Sequence, residues 1–151
     1  MSSQDTYWTF IGQSLITLIL TRGETKLKAL CVDDEKLMLQ HLVSLCEKAA
    51  GISETHGCGK AKDALAWLED HPCDIVLLDI SMPDMDGITL ARKIREIRPG
   101  MEIVFVTGHQ RYALDAWSVH PSGFLLKPVS KKDLQKELDY ILSLRSSCRH
   151  A

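Results

Sequence analysis

Five side chains able to take part in chemistry stand directly after short apolar runs. Asp33 and Asp34 follow Leu27–Val32, and Asp79 closes the run Ile75-Val76-Leu77-Leu78. Thr107 follows Glu102–Val106, and Lys127 follows Phe124-Leu125-Leu126. If these runs are parallel strands, the five residues collect along one edge of one sheet. Folding asks for no such set, since a solvated strand end tolerates almost any residue. A loop that happens to open on a polar residue accounts for each of them singly, but poorly for all of them together.

The chemistry of the set is coherent. Three carboxylates brought to within several Å repel one another, each pair ~5 Å apart costing roughly 3 kcal/mol at an effective dielectric near 20. A hard divalent cation relieves that repulsion, and Mg²⁺ suits a site of few carboxylates because it keeps waters and accepts phosphate oxygens. Lys127 adds a positive point charge suited to a phosphoryl oxygen. Thr107 adds a hydroxyl donor. Together these groups can form an acyl phosphate on Asp79 by in-line attack at phosphorus. No histidine lies within the set, and an ionised carboxylate nucleophile needs no general base.

The elements that must position these residues are legible around them. The spacing predicts a strand at Leu27–Val32 and a helix over Glu35–Ala50, with Met38, Leu42, Leu45, Cys46 and Ala49 on one face and Gly51 as its stop. A weak strand at Glu54–Cys58 and a helix marked by Ala61, Ala64, Leu65 and Leu68 follow, the latter ended by His71-Pro72. The run from Asp74 to Asp79 reads as a strand buried on both faces. Met82–Gly87 reads as a loop and Ile88–Arg98 as a third helix closed by Pro99-Gly100. The pattern continues with a strand at Glu102–Val106, a short fourth helix at Gln110–Trp117 and a last strand at Phe124–Leu126. The final helix, Ser130–Leu144, has Ser130 as N-cap, Asp133 at the reciprocal position and Leu134, Leu138, Ile141 and Leu142 as its apolar face. Strands alternating with helices imply an α/β fold, a doubly wound parallel sheet with right-handed crossovers. Such sheets bind ligands beyond the carboxyl ends of their strands, where the strand order reverses.

The residues Val32-Asp33-Asp34-Glu35, the stretch from Asp74 through Asp79-Ile80-Ser81-Met82-Pro83-Asp84-Met85-Asp86-Gly87, the pair Thr107-Gly108 and the run Phe124-Leu125-Leu126-Lys127-Pro128 resemble the receiver domain of two-component response regulators. The run Tyr112–Trp117 leading to Phe124–Val129 is similar to receivers of the LytR/AlgR type. The resemblance covers about residues 27–146. It implies a (βα)5 flavodoxin-like fold with strand order 2-1-3-4-5. It implies Asp79 as phosphoacceptor, and Asp33, Asp34, Asp79 and the backbone carbonyl of Ser81 as Mg²⁺ ligands. Thr107 and Phe124 become the switch residues, and Lys127 becomes the phosphoryl partner, followed by a cis peptide bond to Pro128. The resemblance puts Ser81 and His109 at positions that tune hydrolysis in this family, His109 reading equally as a solvated loop residue. A histidine kinase or phosphotransfer protein is the implied donor, and the face made by the fourth helix, last strand and final helix the implied output surface. Trp117, Tyr112 and Val119 offer either a homodimer face or half-buried packing. The implied chemistry is limited to the chain's own phosphorylation and dephosphorylation, so no enzyme turning over an external substrate is expected.

Length and composition agree. The 151 residues suit one domain. Eighteen basic and 20 acidic residues give a net charge of −2, which argues against a polycationic nucleic-acid binder. The chain ends soon after Leu144, with no DNA-binding output domain in the sequence, so the expectation is either a stand-alone receiver working through partners or the receiver half of a longer regulator, with no direct nucleic-acid binding by these residues. Five cysteines without a CxxC pair read as reduced, mostly buried thiols of a cytoplasmic protein. Residues 1–26 fall outside the pattern as an atypical extension, and 147–151 as a tail. Within the extension, residues 7–20 are apolar but shorter than the ~20 residues of a membrane span and interrupted by Gln13 and Ser14. Trp8, Ile11, Leu15 and Ile19 recur at helical spacing. An accessory extension, a docking or dimer helix, and a membrane-surface anchor stay open for it. Two other functions compete for the whole chain. A phosphorylation-independent interaction module would show a lost acceptor, acidic pair or lysine, and all are present. A haloacid-dehalogenase-like phosphatase would want a second aspartate two residues after the nucleophile, where this chain has Ser81.

Overall fold

The computed structural model describes residues 26–108 and 113–150. Five parallel strands form one sheet in the order β2-β1-β3-β4-β5. They are β1 (Leu27–Val32), β2 (Ile52–Cys58), β3 (Ile75–Leu78), β4 (Glu102–Thr107) and β5 (Gly123–Leu126). The helices between and after them are α1 (Lys36–Lys48), α2 (Ala61–Asp70), α3 (Gly87–Ile97), α4 (Ala113–Ala116) and α5 (Lys131–His150). The strand order reverses between β1 and β3, which sit side by side at the centre.

The three central strands are apolar on both faces because both faces are covered. Leu30, Val32, Val76, Leu78, Ile103 and Phe105 point into the layer shared with α2 and α3. Ala29, Cys31, Ile75, Leu77, Val104 and Val106 point into the layer shared with α1 and α5. Burying one such Leu, Ile or Phe contributes roughly 1.5–3 kcal/mol, so the two layers fix the register of every central strand. The expected face of α5 follows, with Leu134, Leu138, Ile141 and Leu142 buried. That of α1 follows in part: Leu42 and Cys46 are buried, Leu45 and Ala49 are half-buried against them, and Leu39 and Val43, rather than Met38, complete the packed face.

Differences from the sequence reading lie at the margins of the sheet and at the end of α5, which runs on to His150 where Leu144 was the expected end and 147–151 the expected tail. β2 begins at Ile52, two residues early, because an edge strand carrying exposed Ser53 and Glu54 shows no apolar run. The fourth helix was expected over Gln110–Trp117. Its described part is shorter, Ala113–Ala116, and passes into a 3-10 turn at Trp117–Val119, while His109–Tyr112 lie outside the described residues. The turn ends on His120 in the left-handed region, φ 53°, where glycine or asparagine is usual. The amphipathic stretch within residues 7–20 also lies outside the described residues.

Caps behave as their chemistry requires. Ser130 Oγ accepts a hydrogen bond from the Asp133 amide at 3.0 Å. Asp86 caps α3, its carboxylate accepting from the Thr89 amide at 2.9 Å and the Thr89 hydroxyl at 2.8 Å. Cys31, Cys46 and Cys58 are buried and Cys73 half-buried, all as free thiols. Burial pushes the Cys58 and Cys73 thiols up to about 11, which suits packing residues rather than nucleophiles. Among the described residues, no helix is long and apolar enough to cross a membrane.

Candidate functional site

The carboxyl ends of β1, β3, β4 and β5 meet on one edge of the sheet. Asp33 leaves β1 with its amide bonded to the Cys58 carbonyl (3.2 Å), and Asp79 leaves β3 with its amide bonded to the Val32 carbonyl (3.0 Å). These two backbone bonds set the aspartates side by side at the reversal of strand order. Both are almost wholly buried, Asp33 at 2% and Asp79 at 4% exposure, whereas Asp34 faces solvent. Ligand oxygens of Asp33, Asp34 and Asp79 lie within 4.8 Å of one another.

Lys127 closes the group. Its amide donates to the Thr107 carbonyl at 3.0 Å, which ties the end of β5 to the end of β4. The ammonium then reaches Asp33 Oδ2 at 2.8 Å and Asp79 Oδ2 at 3.2 Å. Lys127 is thereby held between two buried carboxylates, and among the described residues it is the one full positive charge paired with them. The Lys127–Pro128 peptide bond is cis, as the resemblance implied. Thr107 is buried at the end of β4 on the same edge.

The other oxygen of each aspartate accepts one backbone hydrogen bond, which leaves lone pairs for a further ligand. Asp33 Oδ1 accepts from the Glu35 amide at 2.9 Å, and Asp79 Oδ1 accepts from the Ser81 amide at 3.3 Å. The Asp79 carboxyl is raised above its ordinary range. Burial is the main cause, and neighbouring Asp33 adds to it against the opposing pull of Lys127. Burial pulls the Lys127 ammonium down, but the Asp33 hydrogen bond and the charges of Asp79 and Asp33 outweigh it, so the net shift is upward. Excess negative charge in a buried pocket of hard oxygen donors fits a small divalent cation, and the described residues hold this one such acidic cluster.

Two residues of the motif stretches have roles in the site that the sequence did not assign to them. Glu35 was read as a helix start, yet its carboxylate stands 3.8 Å from Lys127 Nζ as a third, exposed partner. Gly87 was read as a loop end. A Cβ there would lie 2.8 Å from the Asp79 carbonyl carbon and from Ile80 Cα, so α3 can start against the acceptor's own backbone only if residue 87 is glycine. The Gly87 amide donates to the Ile80 carbonyl at 2.7 Å across that contact. The one available signal was a glycine closing a proline- and aspartate-rich loop.

Phe124 sits on β5 in register with Phe105. Its ring lies 5.6 Å from that of Phe105 and 5.3 Å from that of Trp117, so three rings run from the core to the surface. Trp117 is 55% exposed. Ser81 is exposed beside Asp79. His109 and Tyr112 lie outside the described residues.

A doubly wound parallel sheet with a buried carboxylate–lysine pocket at its switch point defines the class, an α/β domain with a polar site at the carboxyl edge of its strands, and comparison with known proteins narrows it. A family model for the response regulator receiver domain matches residues 29–139. The chain belongs to that family, the receiver domains of two-component systems. It is similar to the transcriptional regulatory protein LytR of Staphylococcus aureus, with 29% identity over 120 residues, 80% of this chain and 49% of the relative. It is also similar to the positive alginate biosynthesis regulatory protein of Pseudomonas aeruginosa, with 34% identity over 113 residues, 74% of this chain and 46% of the relative. The chain thus spans about half the length of these curated relatives. Among solved structures it resembles a CheY-like receiver domain from Methanospirillum hungatei, with TM-score 0.73 and 27% identity over 81% of this chain and 98% of that one. It also resembles the response regulatory domain of mrkE from Klebsiella pneumoniae, with TM-score 0.72 and 26% identity over 80% and 98% of the two chains.

Proposed function

We propose that residues 27–146 act as a phosphoacceptor receiver in which Asp79 takes a phosphoryl group from a phosphohistidine of a histidine kinase or phosphotransfer protein. The observation that carries this reading is the buried pair Asp33–Asp79 clasped by Lys127 at 2.8 and 3.2 Å. A structural role gains little from two buried carboxylates facing each other, whereas phosphoryl transfer uses both the crowded acids and the cation.

Asp33, Asp34, Asp79 and the Ser81 carbonyl would hold Mg²⁺. When bound, the ion supplies charge neutralisation for an incoming phosphoryl group. The chain's residues do the rest. An Asp79 carboxylate oxygen attacks phosphorus in line. The new O–P bond forms as the P–N bond to the donor histidine breaks, and the electron pair stays on the donor imidazole. Lys127 transfers its hydrogen bond from the carboxylates to a phosphoryl oxygen, and the Thr107 hydroxyl donates to another. Attack of water at phosphorus later restores the Asp79 carboxylate and releases inorganic phosphate. The movement of Thr107 and Phe124 that accompanies these steps changes the face built by α4, β5 and α5. Exposed Leu126 on β5, Tyr140 and Leu144 on α5, and Trp117 in the turn after α4 are apolar residues on or beside that face, available to an output partner or a second copy.

The test is incubation with acetyl phosphate, with Mg²⁺ or with a chelator, followed by intact-mass measurement. One phosphoryl group gained only with Mg²⁺ supports the reading. No gain, or the same gain in Asp79→Asn, overturns it.

A further inference from the structure

We infer that Arg95 is a positioning residue that couples the phosphoacceptor site to the α4–β5–α5 face, by anchoring the exit of α4 to α3. This inference rests on the receiver reading above for its coupling, but not for the anchor itself.

Arg95 lies on α3, away from the acidic pocket, and its guanidinium is spent wholly on backbone carbonyls. Nε donates to Val119 O at 3.1 Å, and Nη2 to His120 O at 2.9 Å. Nη1 donates to Pro99 O at 3.2 Å and also to Met101 O. One side chain therefore joins three segments: the body of α3, the approach to β4, and the turn that ends α4. Glu102 is the one acid whose charge bears on it, and that carboxylate is already bound to the Ser122 hydroxyl and Arg145. The planar fork of an arginine matches several carbonyls at once, which a lysine cannot do.

What Arg95 holds is an unusual turn. The 3-10 turn Trp117–Val119 ends on His120 at φ 53°, a conformation a non-glycine residue keeps only when its surroundings enforce it. The last carbonyls of a helix want a cation, and Arg95 supplies it to Val119 and His120. One turn earlier on α3, Arg92 donates to Ser118 Oγ at 3.2 Å, so two arginines of one helix hold consecutive residues of the turn. Trp117 opens that turn and packs its ring, tilted by 59°, against Phe124, whose ring in turn packs, tilted by 31°, against Phe105. With the turn pinned, a displacement of Phe124 is passed to Trp117 and the surface. With it released, Trp117 follows no defined path.

Hydrogen exchange read by mass spectrometry tests both halves in the full chain. The probes are the amides of His120, bonded to Trp117 O at 3.0 Å, and Ser122, bonded to Ile103 O at 2.6 Å. In unphosphorylated protein, Arg95→Met is expected to speed their exchange by about tenfold or more, with β1 and β3 amides unchanged. Arg95→Lys, which keeps charge and stem, is expected to recover only part of the protection. Equal protection in wild type and Arg95→Met, or full recovery by lysine, overturns the anchor. With acetyl phosphate and Mg²⁺, wild type and Arg95→Met are expected to gain the same phosphoryl mass, while only wild type shows a phosphorylation-dependent change over residues 117–126. The same change in both proteins, against a merely lowered melting temperature in Arg95→Met, assigns Arg95 a structural role and overturns the coupling. If wild type gains no phosphoryl mass, the receiver reading fails, and the coupling fails with it, while exchange in the unphosphorylated protein still decides the anchor.

Discussion

Replacing Asp79 by asparagine should stabilise the metal-free protein. At an effective dielectric near 20, the Asp33 and Asp79 carboxylates, with ligand oxygens within 4.8 Å, repel by about 3 kcal/mol. Asp34 is exposed and adds roughly 1 kcal/mol, near the value for water. Lys127 at 3.2 Å attracts the Asp79 carboxylate by about 5 kcal/mol on the same scale. The asparagine oxygen keeps a charge-assisted hydrogen bond of roughly 1.5–3 kcal/mol to that ammonium. Removing the carboxylate therefore forfeits about 2–3 kcal/mol of attraction and relieves about 4 kcal/mol of repulsion, and desolvation of the buried charge is relieved as well. The net is a gain of about 1–2 kcal/mol, a rise in melting temperature of roughly 3–10 °C for a domain of this size. The upward shift of the Asp79 carboxyl has the same sign. Because its folded pKa lies above 3.8, the folded wild type binds that proton more tightly than the unfolded chain. Stability due to this group is then greatest below pH 3.8 and falls as pH rises through the folded pKa, so the advantage of Asp79→Asn opens over that window. Thermal melts in chelator across pH, repeated with Mg²⁺, are the assay. Mg²⁺ should raise the wild-type midpoint and narrow the gap. An Asp79→Asn midpoint equal to or below wild type in chelator would refute the claim that the pocket is electrostatically crowded.

Lys127→Ala should act in the opposite sense, leaving two buried carboxylates unpaired and lowering stability by about 3–5 kcal/mol in chelator, as read from denaturant titration. The Lys127 ammonium is raised above 10.5, so its contribution is complete below that pH and is lost as pH climbs through the folded pKa; an alkaline melt series checks it. Gly87→Ala should cost about 1–3 kcal/mol by driving α3 away from the Asp79 backbone, and should also slow phosphorylation from acetyl phosphate; unchanged values of both would place the contact elsewhere. Asp86→Ala should cost about 1 kcal/mol through the lost cap. Burial opposes the ionised Asp86 carboxylate, but hydrogen bonds from Thr89 outweigh it and lower the pKa. The cap contribution is therefore present above pH 3.8 and lost as pH falls through the folded value, and the difference from Asp86→Ala should shrink in acid.

The strand ends were legible because chemistry and burial coincide there. A run such as Ile75-Val76-Leu77-Leu78 bounded by aspartates admits few readings, and the sheet places Asp33, Asp79, Thr107 and Lys127 on one edge as those runs imply. The edge strand β2 was half-hidden, since its exposed polar residues carry no period-2 signal. Gly87 escaped because its reason is a contact with Asp79, 8 positions away in sequence but adjacent in space, and no local pattern records a missing Cβ. Arg95 escaped for a similar reason: on a helix surface it reads as a solvated charge, and its four carbonyl partners are contributed by segments that meet only in the folded chain. The left-handed His120 likewise has no signature, since histidine enters that conformation only occasionally and no glycine marks the position.

The central claim is that Asp79 is the acceptor. The most direct measurement is borohydride reduction of protein treated with acetyl phosphate and Mg²⁺, which converts an acyl phosphate on an aspartate to homoserine, followed by peptide sequencing. Homoserine at position 79, absent when Mg²⁺ is chelated and absent from Asp79→Asn, is the predicted result. Label at Asp33 or Asp34 in wild type, or no reducible label in protein that still folds and binds Mg²⁺, would contradict it.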